Sequence, residues 1–268
     1  MDVAAPRTTG GHPDADDRHA RRPRTLELRG VYNFRDLGGY RARDGRTVRW
    51  HTLFRADGLD RLTPEDVEAL RPFGLRTVVD LRMEHELAAR GRFPVETYPV
   101  AYHHLSVMDR TWDRDIPGID SIPEADFLHA RYTEMLQEGG PRYAAALRVL
   151  AGAGALPAVF HCAAGKDRTG LLAMLVLGAI GVSHDDIVED YALSSRALAA
   201  FRERAAEDPQ AAAALASTPT VFFAADPTAM SRLLTDIEAA HGSVRGYAKA
   251  LGVDESHLTA LEHALLSD

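Results

Sequence analysis

Ten residues, His161–Gly170 (HCAAGKDRTG), join a short apolar segment, Pro157–His161 (PAVFH), to the longest apolar run in the chain, Gly170–Val182 (GLLAMLVLGAIGV). This pattern predicts a buried strand, a tight loop and a core helix. Gly165 frees the loop backbone, and Gly170 lets the helix pack closely. Backbone N–H groups in such a loop, focused by the N-terminus of the following helix, form a cradle sized for phosphate. The same field favours the thiolate form of Cys162. Arg168 is placed to hold two phosphate oxygens and to stay on them as charge moves, and the Thr169 hydroxyl is placed near the sulfur. Cys162 is the only cysteine among 268 residues, which excludes an internal disulfide framework and a multi-cysteine zinc site. A lone cysteine is either inert core or a nucleophile, and its Gly, Lys, Asp, Arg and Thr neighbours are not what packing needs.

The rest of the chain frames that loop. The polar N-terminal tract 1–24 predicts a disordered tail, with residues 25–268 forming one domain. Thr25–Tyr40 reads as a short strand and turns, and Arg46–Ala56 as an extended pair. Thr63-Pro64-Glu65-Asp66 predicts a helix start, with Gly74 as its stop. Leu75–Arg82 reads as a buried parallel strand, EHELAAR as a helix and PVAYHHLSV as another strand. The 108–124 segment predicts a functional loop, and Phe127–Leu150 a helical stretch interrupted at Gly139-Gly140-Pro141. The expected class is α/β: a mainly parallel central sheet flanked by helices, with an all-helical section from Asp185. Within that section, 197–224 suits a helical lid or a packed pair of helices.

Net charge is −8, which excludes a binder driven by bulk attraction to nucleic acid. The 170–182 run is shorter than the ~20 residues of a membrane span. No apolar signal segment opens the chain, so no stable membrane anchor and a cytoplasmic address are expected. His103 and His104 are strand neighbours on opposite faces and cannot chelate one metal together. No metal or cofactor is expected.

HCAAGKDRTG resembles the HCxxGKDRTG signature of cysteine-dependent phosphatases, specifically their atypical bacterial protein-tyrosine phosphatase branch with its mycobacterial members. The resemblance extends to NFRDLGGY (Asn33–Tyr40), LFRAD (Leu53–Asp57), TVVDLR with a following Glu (Thr77–Glu84) and DIVEDYALS (Asp186–Ser194). It implies hydrolysis of phosphotyrosine-like monoesters through a cysteinyl-phosphate, with dual specificity and phosphoinositides as extensions. The implied partner is a phosphorylated protein or a phosphoinositide.

The resemblance also sets roles. Cys162 is the nucleophile, Arg168 grips phosphate, and Ala163, Ala164, Gly165, Lys166 and Thr169 surround it. Asp167 is the first candidate general acid. Asp80, at the C-terminal end of a predicted strand, is the second, and Asp113 or Asp115 beside Trp112 follow. Lys166 fits either a second substrate phosphate or the neutralisation of Asp167. His161, Asn33, Arg35 and Asp36 are expected to support the loop. Two other readings stay open: a phosphate-binding pseudophosphatase module and a rhodanese-like sulfurtransferase.

Overall fold

The computed structural model describes residues 23–112, 116–206 and 209–267. In chain order its elements are β1 (Arg35–Asp36), β2 (Thr47–Val48), β3 (Leu53–Ala56), α1 (Pro64–Leu70), β4 (Thr77–Asp80), α2 (Glu84–Arg90), β5 (Ala101–His104) and α3 (Glu124–Leu150). There follow β6 (Ala158–His161), α4 (Asp167–Ala179), α5 (His184–Ala192), α6 (Ser194–Ala205), α7 (Pro209–Ala216), α8 (Pro227–His241), α9 (Val244–Ala250), α10 (Glu255–Leu265) and β7 (Leu266–Ser267).

The main sheet has the order β1-β3-β6-β4-β5 and is parallel except for the short edge strand β1. β6 lies at its centre and is buried along its whole length, as a run of apolar residues predicts for a strand covered on both faces. Alternate residues divide between two cores. Leu53, Val79, Ala158 and Phe160 face a core completed by α3, α4 and α8, while Phe54, Val78 and Val159 face one completed by Val67 and Leu70 of α1. The register aligns Ala56, Asp80 and His161, so the segment after β6 leaves the carboxyl edge between the ends of β3 and β4. That edge is where open α/β sheets bind ligands.

Local signals act as the sequence predicts at α1. The Thr63 hydroxyl accepts from the Asp66 amide (3.2 Å), and Asp66 Oδ2 accepts in return from the Thr63 amide (3.1 Å). The Arg29 and Gly30 amides also donate to Asp66, at 2.7 and 2.9 Å, so the cap anchors the entering chain. Gly74 ends the following 3-10 turn with φ +58°.

Elsewhere the chain departs from expectation. α3 runs unbroken through Gly139, Gly140 and Pro141. A Cβ on Gly139 would lie 2.5 Å from the Val107 carbonyl, so the glycines permit close packing and do not mark a stop. Tyr132, Met135 and Leu136 before Pro141 and Tyr143, Ala144 and Leu147 after it bury one continuous face, which offsets the lost backbone bond. Thr25 makes only a single bridge to Arg35, and β7 adds a strand to the otherwise helical C-terminal section by pairing with β2. Among the described residues no helix is long and apolar enough to cross a membrane.

Candidate active site

The loop between β6 and α4 is held from behind, one carbonyl at a time. Ala163 O accepts from the Gly58 amide (3.2 Å), Ala164 O from Asn33 Nδ2 (3.0 Å) and Gly165 O from Arg55 Nη2 (2.7 Å). In a trans peptide the N–H opposes the preceding carbonyl, so the amides of Ala164, Gly165 and Lys166 turn the other way, as an anion nest requires. Gly165 makes this possible. Its φ is +67°, and a Cβ there would lie 2.6 Å from the Ala56 carbonyl.

A buried charge cluster supports the donors. Asp190 on α5 accepts from Arg55 Nη1 at 2.5 Å and from Arg35 Nε at 2.9 Å, with all three side chains almost wholly buried. Burial alone raises the Asp190 carboxyl, yet the flanking Arg35 and Arg55 guanidiniums hold it well below the usual carboxylate range. Burial, aided by Arg35, pushes Arg55 down to about 10, which leaves it charged at neutral pH. Arg35 also donates to the Asn33 side-chain oxygen, fixing the amide that holds Ala164. Asn33 thus supports the loop directly, and Arg35 supports it through Asn33 and Asp190. Asp36 does not reach the loop. It lies next to Arg35 on β1, points the other way, and accepts from the Gly38 and His51 amides at 2.7 Å each.

The loop opens into a cleft of about 610 Å³. Ala163, Ala164, Asp167 and Arg168 face it, beneath walls that include Trp112, Phe201, Phe222 and Phe223. Cys162 is a free thiol buried at the head of the loop. The Arg168 guanidinium is oriented by Glu86 in the first turn of α2, through both terminal nitrogens, and Glu86 is itself fixed by the Met83 amide (2.8 Å). Burial opposes the charged form of Arg168, but the nearby Cys162 and Glu86 charges hold it protonated, above its ordinary range. Glu86 spends two guanidinium N–H groups and leaves three for an oxyanion. Thr169 is fully buried, and its hydroxyl has no hydrogen-bond partner among the described residues.

The candidate acids separate clearly. Asp167 begins α4 and faces the cleft. Its Oδ1 accepts from the Tyr132 hydroxyl at 2.7 Å, and Tyr132 in turn is 2.6 Å from the Tyr191 hydroxyl. Asp80 is fully buried and bound by Arg82 Nε and Nη2 and by the Tyr102 hydroxyl (2.6 Å). Against the raising effect of burial, His161, Arg82 and Tyr102 hold it well below the carboxylate range. Wholly buried, absent from the cleft lining and tied to Arg82 and Tyr102, Asp80 sits as an anchor of the strand end. Asp113 and Asp115 lie outside the described residues. Asp57, not singled out from the sequence, also faces the cleft. Burial pushes its carboxyl up, but the Tyr32 and Asn33 amides and Arg61 occupy both its oxygens.

His161 is buried behind the loop with Nδ1 3.3 Å from the Cys162 carbonyl, and burial favours its neutral ring. Lys166 differs from the expectation that it meets a second substrate phosphate. Its side chain is wholly buried, and its ammonium donates to the Phe222 and Ala224 carbonyls at 2.9 and 2.6 Å and lies 3.2 Å from Asp167 Oδ1. Neutralising Asp167 is the half of the expectation that the geometry supports.

A sequence profile described as "Tyrosine phosphatase family" matches residues 26–267. A protein of Cupriavidus necator whose name places it among tyrosine-protein phosphatases is 31% identical, over 85% of this chain and 84% of its own. The triple specificity protein phosphatase PtpB of Mycobacterium tuberculosis is 28% identical, over 90% of this chain and 98% of its own. Among solved structures, the Siw14 catalytic core covers 79% of this chain and 95% of its own, with 14% identity and a TM-score of 0.37.

Proposed function

Since the chain belongs to the tyrosine phosphatase family, we propose that its cleft hydrolyses phosphotyrosine-like monoesters in two in-line displacements at Cys162. The observation that carries the reading is the loop itself: three successive carbonyls tied back, with Cys162 at one end and Arg168 at the other. In the first step the Cys162 thiolate attacks phosphorus, an S–P bond forms and the P–O bond to the leaving group breaks. The Ala164, Gly165 and Lys166 amides and Arg168 hold the equatorial oxygens as charge redistributes. Asp167 gives its proton to the departing oxygen. In the second step Asp167 takes a proton from water, the water oxygen bonds to phosphorus, and the S–P bond breaks to release inorganic phosphate and the thiolate.

The aromatic wall of Trp112, Phe201, Phe222 and Phe223 favours an aryl phosphate. The M. tuberculosis relative is named as triple specificity, and we extend the reading to phosphoserine, phosphothreonine and phosphoinositides as secondary substrates. With Lys166 turned away, any second phosphate would meet Arg61 or Arg90 on the cleft wall. α6 and α7 place Leu198, Phe201 and Leu215 on that wall, which supports 197–224 as a lid.

Phosphate release from a phosphotyrosine peptide, a phosphoserine peptide and a phosphoinositide tests the reading beside Cys162→Ser. Turnover fastest on phosphotyrosine and abolished by Cys162→Ser is expected. Turnover surviving in Cys162→Ser refutes the cysteine mechanism. Phosphopeptide binding without turnover in the unaltered protein would make it a phosphate-binding module.

A further inference from the structure

Asp167 is gripped on one oxygen only. Oδ1 takes the Tyr132 hydroxyl at 2.7 Å, and the Lys166 ammonium stands 3.2 Å away. Oδ2 has no hydrogen-bond partner among the described residues, and the side chain is 18% exposed where the residue meets the cleft. A carboxylic acid carries its proton on one oxygen while the other accepts. With the Tyr132 hydroxyl donating to Oδ1 and the Lys166 charge beside that same oxygen, the proton belongs on Oδ2, the oxygen left to the cleft. The Tyr132 hydroxyl is itself held by that of Tyr191, so the direction of the chain is fixed: Tyr191 donates to Tyr132, and Tyr132 to Asp167.

Lys166 adds a second link. Its ammonium donates to the carbonyls of Phe222 and Ala224 and pairs by charge with Asp167 Oδ1. Phe222 and Phe223 line the cleft and belong to the 3-10 turn Thr220–Phe223. One buried cation therefore binds both the candidate acid and the segment that walls the substrate site.

We propose that Lys166 and Tyr132 are positioning residues that present Oδ2 of Asp167 as the proton-transferring atom, and that Lys166 makes this orientation depend on the 220–224 wall being seated. The proposal rests on the reading of Asp167 as general acid. It gives the side chain of the loop lysine a task in proton transfer, with no contact of its ammonium to substrate. When the wall lifts, the ammonium loses two acceptors and the hold on Oδ1 loosens, so an open cleft has a poorly aimed acid.

The test compares Lys166→Met, Tyr132→Phe and Asp167→Asn on two aryl phosphates. Phenyl phosphate has a leaving group that needs the proton, and dinitrophenyl phosphate has one that leaves without it. Asp167→Asn should lower kcat/KM, which reports the first displacement alone, about 100-fold on phenyl phosphate, and each positioning variant about tenfold, with far smaller losses on dinitrophenyl phosphate. Equal losses on both substrates overturn the proposal, as does a rise in KM for both with kcat kept, which is the signature of a lysine that binds substrate phosphate. Tyr132→Phe removes one hydroxyl, so it keeps the question answerable should Lys166→Met fold poorly. Hydrogen exchange at the amides of 220–226 reads the wall: it should quicken in Lys166→Met and not in Tyr132→Phe, and an unchanged rate in Lys166→Met overturns the coupling. A flat response of Asp167→Asn to the leaving group would instead refute the acid assignment itself.

Discussion

Asp190→Asn puts the buried cluster beneath the loop to its hardest test. The carboxylate accepts from Arg35 on Oδ1 and from Arg55 on Oδ2, and the Tyr40 hydroxyl is 3.3 Å from Oδ1. An asparagine has the same shape but must aim an NH2 group at one guanidinium, setting donor against donor. It also leaves two buried guanidiniums without a counter-charge. Removing one partner of a buried pair costs about 3–5 kcal/mol, which for a chain of this size lowers Tm by about 10 °C. Urea and thermal unfolding followed by circular dichroism measure it, with Glu96→Gln on the exposed Arg92–Glu96 pair as a control expected to show no measurable change. The pH dependence has a definite sign. A carboxyl held below its unfolded value contributes stability that is present above about pH 4 and is lost as pH falls through its folded value. The gap between wild type and Asp190→Asn should therefore narrow on acidification. A loss below ~1 kcal/mol at pH 7, or a gap that widens in acid, would refute the account of the cluster.

Other substitutions probe the loop and its neighbours. Gly165→Ala must hold a left-handed residue at φ +67° and push a methyl against the Ala56 carbonyl; it should cost at least ~1–2 kcal/mol in urea unfolding and abolish most turnover. Glu86→Gln frees Arg168 from its paired grip, so kcat/KM should fall roughly tenfold while Tm changes little, and inorganic phosphate should inhibit more weakly. Asp80→Asn should lower stability because Arg82 loses one of its two carboxylate partners and keeps only Asp60, yet it should keep the wild-type sensitivity of kcat/KM to the leaving group, in contrast to Asp167→Asn. Asn33→Ala removes the donor to Ala164 and should lower kcat on every phosphoester by a similar factor, read by steady-state kinetics.

What the sequence made legible is local in chain distance. The PAVFH strand, the loop and the apolar helix are contiguous, so pattern and turn chemistry identify them, as Thr63 and Asp66 identify the start of α1. What it hid depends on residues brought together from afar. Glu86 lies 82 residues from Arg168, and Arg55 lies 135 from Asp190; no periodicity links such pairs. Asp80 sits at the strand end where catalytic groups gather, but Arg82, two residues on, curls back to cover it. The charge of Lys166 suggested a ligand, while the chain turns it inward toward carbonyls some 56 residues later. Gly139-Gly140-Pro141 looks like punctuation, and only the packing against Val107 and Leu251 explains why α3 continues.

The three donors that tie back the loop come from two stretches well before it in the chain: Asn33 ahead of β1, and Arg55 and Gly58 within and just after β3. Arg55 is in turn aligned by α5, which follows the loop in the chain. No fragment containing only the strand, loop and helix carries these parts. Catalytic competence is therefore a property of the fully assembled domain, and it reports on cooperativity: under denaturant, activity and helical signal should vanish along one curve, with no active partially folded species between.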